Sequence, residues 1–327
     1  MRRRRLLTAA PALLLAPAAL GQGTDGWVPA RPISIIVPFA AGGPTDLIAR
    51  LIAEAMAKDL GQSVVVENVT GGGGTIAAAR VAQARPDGTT LLIHHIGHAA
   101  AATLYRRLPY DVQESFTPLG LVSEVAMTIV GRPDFPANTM QELLAEIRRR
   151  GDALNLGHAG LGSSNQLCGM LLQAKAGTAM TGVVFRGAAP ANTELMAGRL
   201  DLSCDQATNT VPFLRDHRMK GFAVTAARRV PGIEDVPTAA EGGLPDFEIS
   251  VWHALYGPKG LPDEITARLS RAIQAAMKDE KLRTRYAELV TDIPAPEKVT
   301  PDYHRRFLAQ EVARWRPLIQ AAGQYAD

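Results

Sequence analysis

Apolar residues along this chain fall into two alternating patterns. Short runs such as Ile33-Ser34-Ile35-Ile36-Val37 are apolar at nearly every position, as a strand covered on both faces requires. Between them lie longer stretches with apolar residues three and four apart, the period of a one-sided helix. Read this way, strands are predicted at 33–39, 63–67, 90–93, 154–158, 183–185, 200–204 and 222–225, with a long extended segment at 122–131. Helices are predicted at 45–60, from the glycine run 71–74 to about 84, at 139–150 and after 160–164. More helical segments separate the later strands, and the chain closes with helices at 262–279, 281–289 and 301–322. Alternating strands and helices imply parallel sheets covered by helices, an α/β class.

The punctuation between segments carries the candidate chemistry. Val37 leads through Pro38-Phe39-Ala40-Ala41-Gly42-Gly43 into Pro44-Thr45-Asp46. Glycines permit a tight turn, and proline suits a first helical turn where its missing N–H costs nothing. The outcome is a helix N-terminus with free N–H groups and about half a positive charge, suited to a carboxylate or phosphate. The device recurs at Gly160-Leu161-Gly162-Ser163-Ser164. Two such turns, over a hundred residues apart, suggest two lobes that face one ligand. Ligands of open α/β sheets sit at the carboxyl ends of the strands.

Several other residues admit two readings. Asp46 either caps backbone N–H groups or accepts a hydrogen bond from a ligand or water. Arg186 either takes a second ligand carboxylate as a bidentate pair or is a solvated loop residue. His94, His95 and His98 lack metal-ligand spacing and an adjacent carboxylate or thiol, so a metal is not expected. His98 ends a strand region and could reach a cleft, whereas His158 and His253 read as structural. Trp252 reads as hinge or core packing before ligand stacking. The glycine run 71–74 lacks the Gly-Lys-Ser/Thr ending of a nucleotide loop, and Ser163 and Ser164 do not sit in a Gly-x-Ser-x-Gly elbow. Cys168 and Cys204 are either a disulfide or two buried thiols.

The N-terminus changes the charge picture. Arg2–Arg5 followed by an Ala/Leu stretch to Leu20 and the small-residue site Ala19-Leu20-Gly21 reads as a signal peptide over residues 1–21. Either Sec or twin-arginine export fits it. Its loss removes four Arg, and the formal charge falls from +3 to about −1. No strong nucleic-acid bias remains.

Several ordered pieces now resemble one family. They include Val37-Pro38-Phe39 with Gly42-Gly43 and Asp46, Gly61 through Asn68, and Pro86-Asp87-Gly88-Thr89-Thr90-Leu91. Leu108-Pro109-Tyr110-Asp111, Gly187-Ala188-Ala189-Pro190-Ala191, Gly243-Leu244-Pro245 and Trp252 follow. The chain resembles the Bug or TctC-like periplasmic solute-binding proteins of tripartite tricarboxylate transporters.

The resemblance implies a two-lobed periplasmic-binding-protein, or Venus-flytrap, fold, each lobe a mainly parallel sheet flanked by helices. Lobe one would comprise 27–121 and 251–327, and lobe two 122–250. It implies no enzyme activity and no cofactor. A small carboxylate ligand would be gripped by Phe39, Ala40, Ala41, Gly42, Gly43, Thr45 and Asp46 on one side. Gly162, Ser163 and Ser164 would grip it on the other, with Asp205 and Gln206 lining the cleft and His98 and Arg186 as further contacts. The expected partners are membrane permease subunits, with the chain a monomer in the periplasm and no role for nucleic acid. A sensory binding protein serving a membrane kinase is the rival, with a periplasmic enzyme acting on a carboxylated substrate behind it. Gln166, Arg186 and Val69-Thr70 depart from the family's usual residues, which leaves the ligand open.

Overall fold

The computed structural model describes residues 26–326. The signal-peptide reading of residues 1–21 lies outside them. Nine strands form one continuous, curled sheet in the order β2-β1-β3-β9-β4-β7-β5-β6, with β8 also paired to β4. The strands are β1 Ile33–Val37, β2 Val64–Asn68, β3 Thr90–His95, β4 Phe116–Gly131, β5 Asn155–His158, β6 Thr181–Val184, β7 Leu202–Gln206, β8 Lys220–Val224 and β9 Ser250–Pro258. Parallel pairing joins β1 to β2 and β3 in one half, and β5 to β6 and β7 in the other.

β4 holds the halves together. From Phe116 to Ala126 it pairs antiparallel with β9, and from Met127 onward it pairs with β7 and β8. The predicted extended segment at 122–131 is the second part of this longer strand. Two lobes therefore share one strand, and β9 lies between its first part and β3.

Among the described residues, ten α-helices cover the sheet. In chain order they are α1 Pro44–Leu60, α2 Thr75–Ala82, α3 Ile96–Leu104, α4 Met140–Arg150, α5 Ser164–Ala176, α6 Ala188–Met196, α7 Ala207–Arg215, α8 Asp263–Ala276, α9 Glu280–Glu288 and α10 Pro301–Ala322. α1 shows why the local pattern suffices. Gly43 is its N-cap, Pro44 begins it, and Gly61 ends it in the left-handed region by donating to the Ala57 carbonyl. Its stripe of Ile48, Ile52 and Met56 is fully buried, each side chain contributing about 1.5–3 kcal/mol.

α3 is absent from the sequence-based expectations. Its alanine-rich, unbroken apolar surface has no helical period to read, because almost every residue in it is buried. The helix α10 packs on α3 and β4. Trp252 lies in that contact, its indole N–H donating to Glu311 at 2.9 Å.

Cys168 on α5 and Cys204 on β7 form a disulfide, with Cα atoms 5.9 Å apart and a sequence separation of 36. It ties the helix behind the second turn to the strand that carries Asp205.

Candidate functional site

Both glycine turns end at the same place. The N-termini of α1 and α5 approach a small cavity of about 10 Å³ between the lobes, lined by Phe39, Gly43, Thr45, Ser163, Ser164 and Gln206, with His95 closing one side. Among the described residues, the N–H groups of Thr45 and Asp46, and of Ser164 and Asn165, have no acceptor within the chain. These are the orphan donors of two helix starts. Each end contributes about half a positive charge. The cavity is thus complementary to an anion from two sides.

The surrounding side chains mostly hold the turns in shape. Asp46 is nearly buried. It accepts from Gly42 N–H at 3.0 Å, from Arg50 at 3.0 Å through two nitrogens and from Asn68 at 2.9 Å. Burial pushes its carboxyl up, but the bonds from Arg50, Gly42 and Asn68 outweigh this and hold it below the usual range. Of its two readings, the capping one describes this geometry. Asn68 also donates to the Phe39 carbonyl at 3.0 Å, so Asp46 fixes the first turn through a partner on β2.

The second turn is built likewise. Ser163 is the N-cap of α5: its hydroxyl donates to Gly160 O at 2.7 Å and accepts from Gln166 N–H at 3.3 Å. Gln166 in turn accepts from Gly162 N–H at 3.1 Å. Ser163 therefore presents no free donor to the cavity, whereas Ser164 keeps its hydroxyl proton. Gly162 has φ +84°, which an L side chain rarely adopts.

Asp205 is fully buried and does not reach the cavity. Its carboxylate accepts from the amides of Asn165 (2.9 Å), Asn192 (2.7 Å) and Asn209 (2.7 Å) and from Gln206 N–H (2.8 Å). Burial pushes its pKa up against those hydrogen bonds. A carboxylate held by four donors organises the wall instead of contacting a ligand. Its neighbour Gln206 is different. The amide donates to Ser164 Oγ at 3.3 Å, while Oε1 is buried with no donor from the chain.

The histidines also separate. His98, expected as a cleft residue, is fully buried and bonded through Nε2 to Val112 O at 3.2 Å. It packs among Tyr110, Phe116 and Tyr256. The helical turn that begins at Ile96 carries it into the core. His95 occupies the cavity wall instead. It stacks on Phe39 with ring centroids 4.8 Å apart, and its Nδ1 accepts from Gly97 N–H at 2.9 Å. Burial lowers its pKa to about 3, so the ring is neutral with its proton on Nε2. His95 ends β3, at the sheet edge where α/β ligands bind. The unseen start of α3 shifted the expectation three residues too far. His253 bridges Thr45 and Ser123 at 3.2 and 2.9 Å.

Ala41 and Gly42 are exposed and do not line the cavity. Ala40 makes a contact between lobes, its N–H donating to Arg186 O at 3.3 Å. A larger pocket of about 490 Å³ adjoins the cavity, sharing Phe39 and Ala159 and bounded by the glycine run 71–74, Phe185 and Arg186. Among the described residues, the Arg186 guanidinium has no partner. The lobes meet here. Tyr105 Oη lies 2.8 Å from Leu161 O, and Gln166 donates to Gln324 at 2.7 Å. Among the described residues, no cluster of His, Cys, Asp and Glu is arranged to hold a metal.

Comparison with known proteins places this geometry. The periplasmic binding protein BugD superposes with a TM-score of 0.88 at 39% identity, covering 91% of this chain and all of that one. MatC from Rhodopseudomonas palustris, solved with malate, gives 0.87 and 40% over 89% of this chain and 99% of MatC. A third structure, an R. palustris protein with adipate, gives 0.84 and 32% over 90% and 98%. BugD is a periplasmic binding protein, and this chain shares the two-lobed fold of these structures. The family model described as the tripartite tricarboxylate transporter family receptor matches residues 48–324. The chain belongs to that family of periplasmic solute receptors.

Proposed function

We propose that this protein is a periplasmic solute-binding protein that captures a small dicarboxylate between its lobes and delivers it to the membrane subunits of a tripartite transporter. One observation carries the reading: two helix N-termini from different lobes converge on one small cavity. About 10 Å³ holds little more than one water, so one carboxylate would sit there with the lobes slightly parted, held by the free N–H groups and the Thr45 and Ser164 hydroxyls. The adjoining pocket takes the rest of the ligand, and Arg186 at its edge takes a second carboxylate as a bidentate pair. A hydroxyl or ammonium beside the first carboxylate would satisfy the unpartnered Gln206 Oε1. The malate and adipate of the related structures support the dicarboxylate class.

The lobe boundaries follow the same reading: 27–121 with 251–327, and 122–250. The change of partners within β4 and the return at β9 support them. Binding without turnover is supported by the carboxylates nearby, since Asp46 and Asp205 are saturated by donors and unavailable as bases. Export depends on the leader at residues 1–21 and releases a chain that begins near Gln22.

Calorimetry on the mature protein with L-malate, succinate and the diamide of succinate tests the proposal. Both diacids should bind. The amide should bind at least about tenfold more weakly, because a charged hydrogen bond exceeds a neutral one by over 1 kcal/mol. Malate should exceed succinate if its hydroxyl meets Gln206. Equal affinity for acid and amide would show that the turns do not read charge.

A further inference from the structure

His253 stands between the cavity and the core. It is fully buried on β9. Its Nε2 lies 3.2 Å from Thr45 Oγ1, and its Nδ1 lies 2.9 Å from Ser123 Oγ. Thr45 lines the cavity, whereas Ser123 is fully buried on β4. Neither hydroxyl has another partner within the described chain. The His95 ring packs edge-on against His253, with centroids 5.8 Å apart. Burial and that neighbour hold the His253 imidazole neutral, its pKa well below the ordinary histidine value.

A neutral imidazole carries one N–H, so one ring nitrogen donates and the other accepts. Two arrangements exist. In the first, Ser123 donates its O–H to Nδ1, and Nε2–H donates to Thr45 Oγ1. Thr45 then cannot turn its own proton back to the ring and aims it at the cavity. In the second, Nδ1–H donates to Ser123, and Thr45 donates to Nε2. That leaves the Ser123 proton buried with no acceptor and turns only Thr45 lone pairs toward the ligand. The second arrangement is penalised twice: by an unsatisfied buried donor and by lone pairs facing an anion.

We propose that His253 is a positioning residue, held by Ser123 in the Nε2–H form, which fixes the Thr45 hydroxyl as a hydrogen-bond donor to the bound ligand carboxylate. The inference rests on the carboxylate reading of the cavity. It extends the site by two residues that touch no ligand.

Nitrogen NMR of the full mature chain with labelled histidine reads the tautomer directly, with His253→Gln assigning the signals. The expected result is a protonated Nε2 and a bare Nδ1, with and without L-malate. A protonated Nδ1 overturns the proposal and leaves the carboxylate reading standing. Calorimetry with L-malate and succinate then tests the consequence. Thr45→Val and His253→Leu should each weaken binding about tenfold, and the double variant should be little worse, as coupled residues are not additive. Thr45→Ser keeps the hydroxyl and His253→Gln keeps a donor near Nε2, so each should stay within about threefold of the parent. Additive losses, or a Gln variant as weak as Leu in a protein that melts normally, overturn the relay. If neither diacid binds the parent protein, the donor role fails together with the carboxylate reading.

Discussion

Ala40 and Gly187 meet across the cleft. A Cβ built on Gly187 would lie 2.9 Å from the Ala40 Cβ and 3.2 Å from its nitrogen. The adjacent Ala40 N–H bonds the Arg186 carbonyl. Gly187 has φ 172°, an extended conformation open to any residue. Its missing side chain therefore serves the approach of the lobes and not the local backbone.

Gly187→Ala should accordingly leave the fold intact and oppose closure. An overpacked contact costs about 1–3 kcal/mol, which predicts a roughly 5- to 150-fold loss of affinity, since every 1.4 kcal/mol is tenfold. Thermal melting without ligand should be nearly unchanged, and calorimetry should show the loss. Unchanged affinity would mean that the lobes bind ligand without reaching this contact.

Arg186→Ala tests the second carboxylate. Diacids should lose about 1.5–3 kcal/mol, the worth of a hydrogen bond to a charged group. A monoacid of similar length should bind both proteins alike. Equal losses for both would place Arg186 in closure and remove it from ligand recognition.

Acid should destabilise the protein through its buried histidines. Burial lowers His95 and His304 to about 3 and His98 to about 4, from 6.5. Folded-state pKa values below the unfolded value mean that the unfolded chain binds more protons. Stability is therefore full above pH 6.5 and falls as pH drops toward about 4. Three such groups give a slope of about 4 kcal/mol per pH unit once the unfolded histidines are charged. Denaturant unfolding at pH 7.5, 6 and 5 measures it, and a flat profile across this window would contradict neutral burial.

The Cys168–Cys204 bridge should be present in protein taken from an oxidising compartment. Closing 36 residues stabilises by about 4 kcal/mol in the chain-entropy treatment. Reduction, or Cys168→Ala with Cys204→Ala, should lower the midpoint of unfolding accordingly. Thiol titration of the denatured, unreduced protein that finds two free thiols would rule the bridge out.

The local devices follow from residue order alone. Both glycine turns, the helices that follow them and most strands were legible, because each depends on residues a few positions apart. Gly43 and Pro44 set the start of α1, and Ser163 caps α5 through Gln166 three residues on. The recurrence of the same turn was enough to suggest two faces of one cleft. What each polar residue does there depends on partners brought in by folding. Asp205 reads as a cleft carboxylate until Asn165, Asn192 and Asn209 arrive from three helices to saturate it. His253 reads as a core residue until β4 and α1 bring Ser123 and Thr45 to its two nitrogens. His98 reads as a cleft residue until the start of α3 buries it and leaves His95 on the cavity wall. Helix caps and turns arise from near neighbours, whereas hydrogen-bond saturation is set by distant partners such as Thr45 and His253, 208 residues apart, which no local pattern encodes.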